Sequence, residues 1–284
     1  MPVDYRAPNI NARRLGLHLR QLREALELSY DAAAVQVGCD VTWLIRVETG
    51  FAAVTPEQVR MLLDRYHVPP HRIRTVLVDL ASRVTGPPWL AAHVGRLKAL
   101  VRDLLTLESE APAVRTFGIR LMPELVRTEA YARMIFESRI PEGVDPDQEW
   151  DLLNSRQRHR PGGRRRTLDV IVDENTLTLP MPPHIMRGQL GRLLALGDDA
   201  QATVRVVPMS VGAYPGLHGA FDVLEFPDIK ERVSMVHGAL GIDIARVDLT
   251  DTWKLIEEVA LPPDASRAMI AQIVADLPAA DRSG

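Results

Sequence analysis

What the chain lacks narrows the reading first. Among 284 residues there is a single cysteine, Cys39. A disulfide framework is therefore excluded, and a cytosolic location is the expectation. No apolar run approaches the ~20 residues that a membrane-spanning helix needs. The N-terminus has no charged head followed by an apolar stretch, so no secretory signal is expected. Strong net charge is missing too: the formal value is −3, which argues against broad coating of nucleic acid. There is no nucleophile elbow, Walker loop, HExxH or paired-cysteine metal site. His184, His218 and His237 show no metal-ligand spacing, and no metal or cofactor is expected. What remains, 46% hydrophobic and 25% charged, fits a globular chain of one large or two ordinary domains.

The most informative stretch is 28–48, LSYDAAAVQVGCDVTWLIRVE. Ser29 is placed to cap a short helix whose first turn holds Asp31, a favourable place for a carboxylate. Small residues Ala32, Ala33 and Ala34 allow close approach of a neighbour. Gly38 stands where a left-handed residue ends a helix. Asp40 then caps a second helix over 41–48, with Leu44 and Val47 inward and Thr42, Trp43, Ile45 and Arg46 largely outward. Helix, glycine turn and second helix form the helix-turn-helix pattern, which places its second helix in the DNA major groove.

The flanking residues extend it. Asn11 is placed to cap a first helix over 12–26, with Leu15, Leu19, Leu22 and Leu26 as an inward stripe. Arg13, Arg14 and Arg20 lie off that stripe, placed to meet phosphate or solvent. Thr55, Pro56 and Gln58 start another helix through a capping box, and 71–83 forms one more. Residues 12–80 resemble the XRE family, the lambda-repressor and Cro type. The matching residues are Leu19, Leu22 and Arg23, then Ala33, Gly38, Leu44-Ile-Arg-Val-Glu48-Thr-Gly50, Val54, Pro56 and Tyr66-His-Val-Pro69. The resemblance implies double-stranded DNA as partner, a homodimer, and contacts from Tyr30, Thr42, Trp43, Ile45, Arg46, Arg13 and Arg14. Family members usually place polar or basic residues at the positions of Trp43 and Ile45, and Gln at that of Tyr30. Residues 1–88 hold 11 arginines, no lysine and nine carboxylates, a weak footprint for phosphate neutralisation.

Residues 1–11 read as a flexible arm, 12–83 as the helix-turn-helix domain, 84–94 as a linker around Gly86, 95–278 as a second domain, and 279–284 as a flexible tail. In the second domain, periodicity predicts helices over 91–107, 122–133, 150–158, 184–196, 252–259 and 264–277. Strands are predicted at 117–121, 168–172, 203–207, 221–226 and 233–236, the last two as a hairpin across Pro227-Asp228. The fold class is thus a mainly α helix-turn-helix domain followed by an α+β domain with a small mixed or antiparallel sheet.

This second domain resembles an uncharacterised domain that follows XRE motifs in actinobacterial regulators of the WhiJ-like group. The resemblance rests on Pro123-Glu-Leu-Val-Arg-Thr-Glu-Ala-Tyr-Ala-Arg133, Arg156-Gln157, Val172-Asp-Glu174, Gln189-x-x-Arg-Leu-Leu194, Val206-Val-Pro208, Gly212-Ala-Tyr-Pro-Gly216 and Phe221-x-Val-Leu-Glu-Phe-Pro-Asp228. It implies association with small partner proteins. Glu124 stands where the group usually has Gly, and Arg127 where it usually has Gln.

Candidate ligand- or partner-binding residues are Glu124, Arg127, Tyr131, Arg156, Asp173, Glu174, Tyr214 and His218. Asp173 and Glu174 end a strand, where a carboxylate pair can do acid–base work or simply cap a helix. The GAYPGLHG loop carries Tyr214 and His218. The run RQRHRPGGRRR, 156–166, holds six arginines that can bind phosphate or an acidic partner, or stay solvated. Three functions stay open: a transcriptional regulator with a domain that senses a small-molecule effector or a small acidic protein; an enzyme or small-molecule binder derived from one; and a protein–protein module.

Overall fold

The computed structural model describes residues 10–52, 54–82, 87–138, 145–227, 231–238, 241–245 and 247–278. The expected tail, most of the expected arm, Gly86 and Asp228 lie outside them. The chain divides into two compact units, Met1–Leu107 with Pro227–Glu231, and Glu108–Phe226 with Arg232–Gly284. Among the described residues no helix is long and apolar enough to cross a membrane.

The first unit is helical: α1 (Ile10–Ala25), α2 (Tyr30–Val37), α3 (Val41–Glu48), α4 (Pro56–Arg65), α5 (Arg72–Ser82) and the short α6 (Pro88–Ala91). Local chemistry sets most of its boundaries. The Ser29 hydroxyl accepts from the Ala32 N–H, Asp40 Oδ1 from the Trp43 N–H, and Thr55 and Gln58 close a reciprocal capping box. Gly38 takes φ +79 and ends α2. The core gathers Leu15, Leu19, Ala33, Ala34, Val37, Leu44, Val47, Val59, Leu62, Leu63, Tyr66 and Leu77. Each large aliphatic contributes about 1.5–3 kcal/mol on burial. The α1 stripe is shorter than expected. Leu26 is 44% exposed because α1 stops at Ala25 and Glu27 turns the chain at φ +55. Asn11 is not a cap; it lies within α1 and is buried.

Gly16 is where α1 meets the end of α3. A Cβ there would stand 2.5 Å from the carbonyl oxygens of both Val47 and Glu48, so only glycine permits this approach.

The helix expected over 91–107 is broken into α6, a 3-10 turn at Val94–Arg96 and α7 (Ala99–Glu110). Gly95 sits in the interruption, and glycine is a poor helix former.

The second unit is built on a six-stranded mixed sheet, β1 (Ala113–Gly118), β2 (Thr167–Asp173), β3 (Ala202–Val207), β4 (Ala220–Phe226), β5 (Glu231–Gly238) and β6 (Gly241–Ile244), in the order β3-β2-β1-β4-β5-β6. β1, β2 and β3 are parallel, with Phe117 opposite Ile171 and Val170 opposite Val204. β4 runs antiparallel to β1, and β5 to β6. Helices α8 (Glu129–Ser138), α9 (Pro146–Arg158), α10 (Glu174–Leu177), α11 (Pro183–Gly197), α12 (Thr250–Val259) and α13 (Pro263–Asp276) accompany it.

The pleat sorts the core into two layers. Val170 and Val172 of β2, with Val204 and Val206 of β3, pack with Tyr131, Leu190, Leu193 and Ile270. Ile171 and Val207 point the other way and pack with Phe117, Phe221, Trp253 and Ile256. Burial on both faces explains the apolar runs Val170-Ile171-Val172 in β2 and Val206-Val207 in β3.

Three expectations need correction here. The first strand is 113–118, not 117–121. Arg120 takes φ +69, and a Cβ on Gly118 would meet the Pro123 ring at 2.6 Å, so the chain folds over itself there. The stretch 122–128 is not helical; a 3-10 turn at Glu124–Val126 leads into extended backbone at Arg127 before α8 begins. β6 was not expected.

Candidate nucleic-acid interface and two polar centres

In the first unit, the outward face of α3 carries Thr42, Ile45 and Arg46, all exposed. Thr42 can hydrogen-bond a base edge, Ile45 can touch a thymine methyl, and Arg46 can reach guanine or phosphate. Arg46 Nη2 lies 3.3 Å from the Phe51 carbonyl, a weak tether that holds it near the helix end. Trp43 is half-buried against the core, so it supports α3 more than it projects from it. Arg13 is exposed.

Two of the expected contacts are placed otherwise. Arg14 is 5% exposed, with its guanidinium 3.5 Å from Asn11 Oδ1; it lies on the buried side of α1. Tyr30 is half-buried, its ring 4.0 Å beneath the Arg23 guanidinium.

That stacking belongs to a device the sequence pattern contained without explaining. Arg23 on α1 forms a fork with Glu48 at the end of α3, Nε to Oε1 at 2.9 Å and Nη2 to Oε2 at 2.9 Å. Its Nη1 donates to the Leu28 carbonyl at 2.8 Å. The hydrogen bond to Glu48 raises the Arg23 pKa further above its already high value. The fork and the Gly16 contact together fix the angle at which α3 is presented.

In the second unit, four predicted residues do come together. Arg156 forks onto Glu108, Nε to Oε1 at 3.1 Å and Nη2 to Oε2 at 2.7 Å, and its Nη1 reaches Glu124 Oε2 at 2.6 Å. Arg127 Nη1 lies 3.6 Å from Glu124 Oε1, and its Nε donates to the Met122 carbonyl at 2.8 Å. The Tyr131 hydroxyl accepts from the Met122 N–H at 3.1 Å. Burial opposes charge on Glu124, but Arg156 and Arg127 outweigh it and hold the carboxyl far below the usual range. Burial likewise opposes charge on Arg156, and Glu108 and Glu124 keep it protonated.

Two glutamines complete the lattice. Gln157 Nε2 donates to the Glu124 and Arg127 carbonyls at 2.8 and 3.0 Å. Gln189 accepts from the Thr128 N–H at 2.8 Å and donates to the Val126 carbonyl at 2.9 Å. The strings around 123–133, 156–157 and 189 thus converge on one bent segment. Beyond the 3-10 bonds of Val126 and Arg127, side chains take backbone groups that an α-helix would have used, which is why 122–128 is not α-helical. Glu108 was the member sequence reasoning missed; nothing local marks it as the partner of Arg156.

Nearby, His237 Nε2 and Asp222 Oδ2 are 2.7 Å apart. Burial works against the imidazolium, yet Asp222 and then Glu124 lift the His237 pKa above its ordinary value, with Arg156 opposing.

The second centre is the end of β2. Asp173 Oδ1 caps α10 through the Asn175 N–H at 2.9 Å, while its Oδ2 accepts from the Tyr214 hydroxyl at 2.5 Å. Glu174 Oε2 accepts from the Met209 N–H at 2.7 Å. Burial and then Asp173 drive the Tyr214 pKa well up. Asp173, Glu174 and Tyr214 therefore lock the 208–219 loop. His218 is exposed and is not drawn into either centre. Among the described residues no group of three His, Cys, Asp or Glu side chains could hold a metal ion.

Two family models match the chain. Residues 14–76 match one described as a helix-turn-helix domain. Residues 101–272 match one described as a domain of unknown function, DUF5753. No curated protein and no solved structure matches it.

Proposed function

The chain belongs to the DUF5753 family, its family domain following a helix-turn-helix domain, and we propose that it is a DNA-binding transcriptional regulator. The observation that carries this reading is the face of α3. Thr42, Ile45 and Arg46 are its exposed side chains, on a helix whose approach angle is fixed by the Arg23–Glu48 fork. A rigidly presented short helix with a hydroxyl, a methyl-bearing side chain and a guanidinium suits direct readout. The finer reading is an XRE-type domain over 12–83 that acts as a homodimer in the cytosol, with a WhiJ-like effector domain over 95–278. Two-fold assembly would set two recognition helices about 34 Å apart on one face of the duplex.

The test is a pair of variants assayed on a selected binding sequence. Thr42→Ala with Arg46→Ala is expected to weaken specific binding by roughly 5-fold to 150-fold per lost base contact, at ~1–3 kcal/mol each, while the far-UV spectrum stays unchanged. Equal binding by the double variant would remove α3 as the reading helix.

One observation favours a second reading, a small-molecule binder whose helix-turn-helix no longer meets DNA. Arg14 is buried and Asp40 sets a carboxylate at the start of α3, which leaves few cations for phosphate. Absence of any DNA enrichment, together with ligand binding by the second unit, would select it.

A further inference from the structure

The arginine-rich run 156–166 is not a uniform solvated loop. Gly162 and Gly163, at φ +57 and +75, reverse the chain between the end of α9 and the start of β2. The reversal sets Arg158 and Arg160, on one side of the turn, and Arg165 and Arg166, on the other, around one depression of about 400 Å³. Arg192 of α11 closes a further side, and Leu125, Leu168 and Leu196 supply apolar wall. The size falls within the range of small-molecule sites, about 300–1,000 Å³.

The charge in this depression is poorly neutralised. Asp199 is the carboxylate in its lining, and it is held by Arg165 at 2.6 Å. The hydrogen bonds of Arg166 go to the Glu108 and Ala111 carbonyls rather than to a carboxylate. Arg158, Arg160 and Arg192 have no ion pair among the described residues, and the buried Nε of Arg192 has no hydrogen-bond partner among them. Burial lowers the Arg166 pKa; burial and then Arg166 lower that of His159, which also lines the depression.

We infer that this depression is an anion site of the second unit, built for a small phosphorylated organic molecule. Guanidinium forks arriving from α9, from the loop and from α11 can share the several oxygens of a phosphate or diphosphate group. The leucine wall gives the organic part an apolar surface. The concave shape, closed by Arg192, favours a small ligand over an extended nucleic-acid strand, which tracks an open groove lined with stacking aromatics. The inference rests on the reading of the second unit as an effector domain, and it names the ligand class. It is tested without DNA, so that its failure and the failure of DNA recognition are separate results.

The experiment is calorimetric titration of the full-length protein with inorganic pyrophosphate at low ionic strength. Saturable binding of one equivalent is expected. Arg160→Gln and Arg192→Gln should each raise Kd by tenfold or more, the scale of a lost charge-assisted hydrogen bond. Arg164→Gln removes an exposed arginine of the same loop that does not line the depression, and it should leave Kd unchanged. Because Arg160 is exposed, its variant remains informative should Arg192→Gln disturb packing. Three results would overturn the assignment. One is no saturable heat at millimolar pyrophosphate. Another is a loss for Arg164→Gln as large as that for Arg160→Gln, which would mean diffuse loop charge. The third is tighter binding of a single-stranded oligonucleotide or an oligoglutamate peptide than of pyrophosphate, with the same dependence on Arg160.

Discussion

Glu48→Gln isolates the charge in the fork that joins α1 to α3. The Glu48 side chain is fully buried and that of Arg23 is 7% exposed. The substitution preserves shape and removes the buried counter-ion of the guanidinium, which keeps the Leu28 carbonyl, the Tyr30 ring and the half-exposed Glu24 carboxylate at 3.7 Å. Removing one partner of a buried pair costs about 3–5 kcal/mol. Glutamine still offers an oxygen to Arg23, so roughly 3 kcal/mol is expected, or about a hundredfold in the opening equilibrium. Hydrogen exchange of the α1 and α3 amides in the full-length protein reads this directly, since it reports the stability of the first unit alone. The second arm is the double variant Arg23→Met with Glu48→Leu. Replacing both partners by apolar groups of similar volume is often neutral or stabilising, so protection should recover by at least half. A loss below about 1 kcal/mol for Glu48→Gln, or a double variant no better protected than the single one, would refute the claim that this pair fixes α3.

Other consequences follow from single contacts. Gly16→Ala should destabilise the first unit by about 1–3 kcal/mol, because its Cβ would meet two backbone carbonyls at 2.5 Å; an unchanged melting curve would contradict the close approach. The Tyr66 hydroxyl is buried with no partner among the described residues, and burial pushes its pKa up to about 12. Tyr66→Phe should therefore leave stability unchanged or raise it by up to about 1 kcal/mol, and a clear loss would reveal an unrecognised bond. His237 has its folded pKa raised, by Asp222 and Glu124 against burial and Arg156. The stabilisation from its protonated form is complete below the ordinary value near 6.5 and is lost as pH rises through the folded pKa. Urea midpoints should fall over that rise, and His237→Gln should flatten the profile; a midpoint that climbs with pH would reverse the sign.

Much of the first unit was legible because its signals are local. Ser29, Gly38, Asp40 and Thr55 act on amides within three or four residues, and Leu15, Leu19, Leu44 and Val47 follow helical periodicity. Strands β2 and β3 were legible because β-branched residues dominate them: Val170, Ile171 and Val172 in one, Thr203, Val204, Val206 and Val207 in the other. What failed was decided at a distance. Arg13 and Arg14 are neighbours in sequence, yet one is exposed and the other buried. Leu26 fits the apolar stripe and is exposed because the chain turns at Glu27. Residues 122–128 have helical composition, but side chains of Gln157 and Gln189 take their backbone groups. The candidate sites show the same division. Arg127, Tyr131, Asp173 and Tyr214 stood out as candidates for ligand or partner contact, and in the structure their polar atoms bond within the fold.

The central claim, that α3 reads DNA, is tested most directly by selecting genomic fragments on the purified full-length protein at two salt concentrations. The account predicts an enriched motif with two-fold symmetry, lost with Thr42→Ala and Arg46→Ala together. It also predicts a modest salt slope, near −0.9 per phosphate contacted, because exposed arginines around α3 are few. No enriched motif at either salt, or a motif unaffected by changing Thr42 and Arg46, would contradict it.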